Sequence, residues 1–168
     1  EASAAAGTVT DAVIAHSEAQ ARALWQLRES ISETLAPFTP WKNDVSVRVS
    51  RLPAFVVAAE GLLSRDYPSF ETVWYGHIGD GNLHINILRP EGMDLAAFKT
   101  QCEPLARGFA ALLQDFGGSV SAEHGIGLLK REQLRFSRSE AEISALRGLK
   151  SLFDPLGILN PGKLLPPD

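Results

Sequence analysis

The chain has 168 residues, 45% of them hydrophobic and 21% charged, with a net charge of −4. That length suits one domain with a real core, and the mild acidic excess argues against nucleic acid or an anionic membrane as the principal partner. The longest apolar runs, such as residues 54–59, are far too short for a membrane span, and the single Cys102 excludes both an internal disulfide and a thiolate metal site.

Residues 1–7 lack an initiator Met and the charged-then-apolar order of a signal peptide, so they are expected to be a linker, a cut site or a cloning remnant ahead of one domain over 8–168. Thr8–Ile14 is predicted as a short strand. Ser17 is placed to cap a helix, with Gln20 completing a capping box. Leu24, Leu27, Ile31 and Leu35 fall at helical spacing, so one face is expected in the core, with Trp25, Arg28 and Ser32 at its edge and Pro37 ending the run. Val45, Val47 and Val49 alternate with polar residues as in a half-buried strand. Pro53 suits the first turn of a helix to about Leu63, with Leu52, Val56, Ala59 and Leu63 on one side. A hairpin is expected over Phe70–Leu88. Asp94 should cap a long helix to Phe116, stopped by Gly117-Gly118, with Cys102 as a small buried residue on it. Leu128–Leu134 and Ala141–Phe153 are two further predicted helices, and Asp154–Lys163 is a turn-rich tail. The order strand, helix, strand, helix, hairpin, helix gives an α+β fold, an antiparallel sheet with helices on one face.

Residues 76–86, Gly-His-Ile-Gly-Asp-Gly-Asn-Leu-His-Ile-Asn, are the most informative stretch. Asp-Gly between alternating apolar residues is a strong hairpin signal. With Asp80-Gly81 as a two-residue loop, His77 would face His84, and directly opposed Cβ atoms lie about 4.5–5.5 Å apart on one sheet face. Asn86 would share that face. Two imidazoles are a common basis for a transition-metal site, and Glu123-His124, framed by Gly125 and Gly127, offers a third ligand. Two His plus one carboxylate leave open positions on Zn²⁺, Mn²⁺ or Fe²⁺, with His124 free as a general base or acid. Plainer readings stand beside these: a satisfied His pair, Asp80 as a turn residue off the paired face, and Arg28 and Lys42 as solvated surface cations rather than carboxylate binders.

The stretch Gly76–His84, with Glu123-His-Gly125 and Asn160-Pro-Gly-Lys163 in that order, resembles the C-terminal domain of FAD-linked 2-hydroxy-acid oxidoreductases. That family includes D-2-hydroxyglutarate dehydrogenase, D-lactate dehydrogenase and the glycolate oxidase flavoprotein subunit. Trp25–Glu29 and Lys42–Val45 match as well, so the resemblance covers nearly the whole chain. It implies a ferredoxin-like cap domain with a C-terminal helical segment, working with an FAD-binding domain that has no counterpart here. It further implies His77, His84 and Glu123 as ligands of a divalent metal (Zn, Mn or Fe), and His124 as the catalytic base. Arg28, Lys42 and Asn86 would be substrate-binding, with Asn160 and Lys163 as candidates for cofactor contact. The substrate would be a small D-2-hydroxy acid and the electron acceptor is open. A homodimer is compatible with this reading, as is a cytoplasmic location (mitochondrial in a eukaryote). This polypeptide alone is expected neither to hold FAD tightly nor to turn over. Two rivals stay open: a stand-alone His/His/Glu metal hydrolase and a non-catalytic structural or assembly domain.

Overall fold

The computed structural model describes residues 5–166, so the first four residues of the expected linker lie outside the described residues. Two compact units divide between Thr39 and Pro40. In the first, Thr8–Ile14 forms no strand but an exposed irregular segment. Among the described residues it joins no ladder, and an isolated strand has no stability of its own. Ser17 caps helix α1 (Glu18–Glu29) by accepting from the Gln20 N–H. The Gln20 side chain bonds the His16 N–H instead of returning to Ser17, so the reciprocal arrangement is displaced by one residue. The expected core stripe is open: Leu24 and Leu27 are exposed, Leu27 by 75%, and only Leu35, closing the short helix α2 (Ile31–Leu35), is buried. Helical spacing marks a face able to bury itself, but a partner is needed for it to do so.

The second unit is built on three antiparallel strands, β1 (Trp41–Ser46), β2 (Thr72–His77) and β3 (Asn82–Ile87), in the order β1-β3-β2. The valine alternation is used only in part. Val45 and Val47 are buried, whereas Val49 is exposed and opens a short 3-10 turn. Helix α3 (Leu52–Asp66) begins with Pro53 in its first turn and buries Leu52, Phe55, Ala59 and Leu63; Phe55 takes the place expected of Val56. Asp94 caps helix α4 (Leu95–Phe116) through the Ala96 and Ala97 N–H groups, and Gly117 ends it in the left-handed region at φ 63°. Phe98, Cys102, Leu105, Phe109 and Leu113 of α4 join the α3 residues and Val45, Ile85 and Ile87 of the sheet in one core. Burial pushes the Cys102 thiol up to about 12, which leaves it an inert apolar filler.

The segment predicted as a helix over Leu128–Leu134 is instead a set of turns running into a 3-10 stretch, Glu132–Phe136. Helix α5 (Glu140–Phe153) follows with a complete Ser139/Glu142 capping box. Asp154 then shapes the tail: buried, it takes the Lys150 ammonium and the N–H groups of Ile158 (3.0 Å) and Leu159 (2.9 Å).

Strand register decides where the site lies. β1 pairs with β3 as Lys42↔Asn86, Asp44↔His84 and Ser46↔Asn82. β2 pairs with β3 as Val73↔Asn86, Tyr75↔His84 and His77↔Asn82. The loop therefore spans Ile78–Gly81, and His77 stands opposite Asn82 rather than His84. The two-residue loop fails because Gly81 is committed elsewhere. Its φ is +72°, its carbonyl accepts from the Val47 N–H, and a Cβ there would run into the Val47 carbonyl oxygen. The register slips by two, an even number, so face parity survives. Trp41, Val45, Ile85 and Ile87 point one way, into the core; Lys42, Asp44, His77, Asn82, His84 and Asn86 share the other face.

Gly81→Ala is expected to lose about 2 kcal/mol or more of stability in urea titration, since it adds left-handed strain to a backbone collision. A second expectation concerns acid. The Lys150 side chain, with the two backbone donors, holds the Asp154 carboxyl below its ordinary value despite burial. A depressed folded-state value contributes stability above the usual aspartate range and loses it as pH falls through that range. Asp154→Asn should therefore lower Tm at pH 7, and the difference from the parent should shrink as the pH falls below the ordinary aspartate range.

Candidate functional site

Three of the four histidines gather on or beside the polar sheet face. The His77 and His84 rings lie edge-on with centroids 5.8 Å apart, as diagonal neighbours rather than an opposed pair. His84 stacks on Tyr75, its true cross-strand partner, at 4.9 Å. The His124 ring sits 5.6 Å from His84.

Glu123 and His124 reach this face because the chain leaving α4 is tied to β1. Gly118 lies so close to Ser46 that a Cβ would collide with its carbonyl oxygen, and Ser46 and Ser119 exchange backbone bonds of 3.1 and 2.8 Å. The segment then turns over the end of the sheet. Glu123 Oε1 comes within 3.0 Å of His77 Nδ1 and accepts from Asn82 Nδ2. Ligand atoms of His77, His84 and Glu123 all lie within 4.8 Å of one another, and so do those of Asp44, His84 and His124.

Asp44 was not among the residues singled out from sequence, nor were Asn82 and Lys130. With 1% of its side chain exposed, Asp44 is the most deeply buried charge of the group. Its Oδ2 accepts from the backbone N–H groups of Glu123 (2.9 Å) and His124 (2.8 Å) and from Ser121 Oγ (3.4 Å). Burial pushes its carboxyl up, but the His124 and Glu123 N–H groups and the charges of His124 and Lys130 outweigh that and hold it below the ordinary value. Lys130 donates to the Asp44 carbonyl at 3.1 Å and to the Val120 carbonyl at 2.7 Å, stitching β1 to the same segment. The available signal for Asp44 was its alternation with Lys42 and Ser46 on the face opposite Val45. Lys130 carries none, because its contact depends on a tertiary approach.

Burial lowers the His84 pKa, and the nearby His124 and His77 add to the fall while Asp44 and Glu123 oppose it. The ring is thus held neutral at neutral pH, the form a metal ligand requires. Of the two clusters, His77, His84 and Glu123 is the one without a fully buried member, and it is the set that could hold an ion reachable from solvent. Two imidazoles and a carboxylate fit a first-row divalent ion with positions left for a substrate.

Of the remaining candidates, Asn86 lies on the same face, 1% exposed, and its Nδ2 has no hydrogen bond among the described residues. Lys42 stands directly across from it on β1. Asn160 and Lys163 are exposed in the tail, bonded to each other at 3.2 Å, and Leu164 pairs with the Gly127 carbonyl at 2.9 Å. Arg28 belongs to the unit ending at Thr39, where its guanidinium lies 5.5 Å over the Trp25 ring.

The model of one family, the C-terminal domain of FAD linked oxidases, matches residues 1–164. The chain belongs to that family. It is 54% identical over 158 residues to a D-2-hydroxyglutarate dehydrogenase of Xanthomonas citri pv. viticola, covering 94% of this chain and 34% of the relative. A D-2-hydroxyglutarate dehydrogenase of Stutzerimonas stutzeri matches at 49% over the same share of each. A mitochondrial D-2-hydroxyglutarate dehydrogenase of Bos taurus matches at 40%, covering 95% of this chain and 28% of the relative. The chain thus spans about a third of the length of its bacterial relatives. Among the described residues no helix is long and apolar enough to cross a membrane.

Lys130→Met is expected to leave two buried carbonyls without their donor and to cost about 1–3 kcal/mol in denaturant titration, with the strand pairing retained by circular dichroism.

Proposed function

We propose that this chain is the substrate- and metal-binding domain of an FAD-dependent dehydrogenase that oxidises a D-2-hydroxy acid to the 2-keto acid. The names of the relatives make D-2-hydroxyglutarate the first substrate to try. The observation that carries the reading is the convergence of His77, His84 and Glu123, with His124 beside them, on one sheet face of a chain from the FAD-linked family.

His77, His84 and Glu123 would hold a divalent ion, whose contribution when bound is to draw in the hydroxyl and carboxylate oxygens and lower the hydroxyl pKa. His124 takes the hydroxyl proton on a ring nitrogen; about half of its side chain is exposed, so it is open to substrate. A bound flavin would supply the acceptor for the hydride leaving the carbinol carbon, so that one proton and one hydride account for the alcohol-to-ketone change. Lys42 offers an ammonium to a substrate carboxylate, and Asn86 offers its Nδ2, which has no hydrogen bond among the described residues, to the hydroxy acid. Arg28 is proposed as a second carboxylate binder, and Asn160 and Lys163 as contacts to the cofactor. The flavin itself would be held by protein outside this domain.

In the full natural enzyme, His124→Ala should reduce kcat by about 100-fold or more with metal content unchanged. His84→Ala should remove both metal and turnover, measured by elemental analysis and dye reduction with D-2-hydroxyglutarate. This chain purified alone should carry no flavin absorbance and reduce no dye. Stoichiometric flavin on the isolated chain would refute that division of labour. Chelator-sensitive ester hydrolysis by the chain would favour a metal hydrolase, and metal content unmoved by His84→Ala would favour a structural domain.

A further inference from the structure

We infer that Asp44 is the positioning residue of this site: its buried carboxylate sets where Glu123 and His124 stand. The inference deepens the reading above, in that Glu123 and His124 matter because of the roles proposed for them.

A carboxylate is costly to bury without donors, so the groups that donate to it show what it organises. Asp44 Oδ2 accepts from the N–H groups of Glu123 and His124 and has Ser121 Oγ at 3.4 Å, and all of these come from the short stretch Ser121–His124 rather than from its own strand or a neighbouring helix. Two are the main-chain N–H groups of the proposed ligand and the proposed base. That stretch forms no helix or ladder of its own, so nothing regular fixes its backbone. Ser121 is further pinned by its bond to the Gly125 carbonyl at 2.9 Å, which closes the turn that carries both side chains.

The other oxygen faces the histidines. Asp44 Oδ1 makes no hydrogen bond among the described residues and stands 3.7 Å from His84 Nδ1. His124 Nδ1 lies 3.8 Å from Oδ2. Both imidazoles therefore stand beside the carboxylate without a hydrogen bond to it, and its direct hold is on the backbone of residues 123 and 124. One buried side chain thereby sets the backbone of two working residues.

The test uses Asp44→Asn in the full natural chain, with Co²⁺ as the probe ion and amide hydrogen exchange read by mass spectrometry. Co²⁺ should bind about tenfold or more weaker with a changed d–d spectrum, following the usual cost of an outer-shell loss. Exchange at the Glu123 and His124 amides should speed up about tenfold or more, while Val45 and Ile85 stay within about threefold of the parent. A purely structural role would accelerate the strands equally and leave Co²⁺ binding per folded molecule intact, and that result overturns the inference. So would loss of a second bound equivalent of Co²⁺, which would make Asp44 a ligand. If the parent takes up no Co²⁺ while the variant still loosens residues 121–124, the metal reading falls and the hold of Asp44 on the segment stands. Should the variant not fold, the parent decides: its Glu123 and His124 amides must be protected, and exchange at open-chain rates overturns the inference.

Discussion

Everything distinctive in this domain depends on the two-residue period of a three-stranded sheet whose faces have opposite chemistry. On one face Val45, Ile85 and Ile87 lie against α3 and α4. On the other face, Asp44 takes its donors from the Ser119–Gly127 segment and His84 stacks on Tyr75, while Asn86 keeps an amide nitrogen with no hydrogen bond among the described residues. The core is what holds the polar face still. Phe55, Phe98 and Ile85 are essentially inaccessible, and a close-packed interior tolerates little displacement of the strands that carry the histidines. Rigidity at the site is thus generated on the far side of the sheet.

Electrostatics then selects what that face can do. His84 is kept neutral by burial and Asp44 is kept charged by backbone donors, although the two groups are in contact. In an isolated pair proximity would push toward a protonated imidazole, but here desolvation of the ring outweighs the attraction. A neutral imidazole next to a fixed anion is ready for a cation, whereas a salt bridge would already be satisfied. Glu123 and His124 occupy the more open rim, where a small molecule can reach them.

Much of this was legible in the sequence, for identifiable reasons. Asp94 with Gly117-Gly118 bounded α4 because cap chemistry is local. His77 and His84 were assigned to one face correctly although their pairing was wrong, because face depends on parity and the register error was even. The loop length itself could not be read, since it is set by Gly81 docking on Val47, a contact across the fold. The Leu24–Leu27 stripe was read as core from spacing, yet spacing says only that a face could be buried. Thr8–Ile14 has strand-like composition and no ladder to join. Asp44 escaped notice because an acidic residue in a strand looks like surface until the segment that caps it is in place, and the Glu123-His124 pair gave no hint of where its own backbone bonds go.

The site is assembled from pieces of very different locality. His77 and His84 come together as soon as one hairpin closes, a local event. Glu123 and His124 are separated from that hairpin by the whole of α4, and they arrive only when this 22-residue helix has docked and Ser119 has paired with Ser46. Chain-closure entropy makes such a distant contact late. A nascent or partly unfolded chain therefore presents two imidazoles without the carboxylate, a weak and unselective chelator. The proposed donor set is complete only once the last long-range contact is made, so tight capture of an ion by that set would report on finished folding.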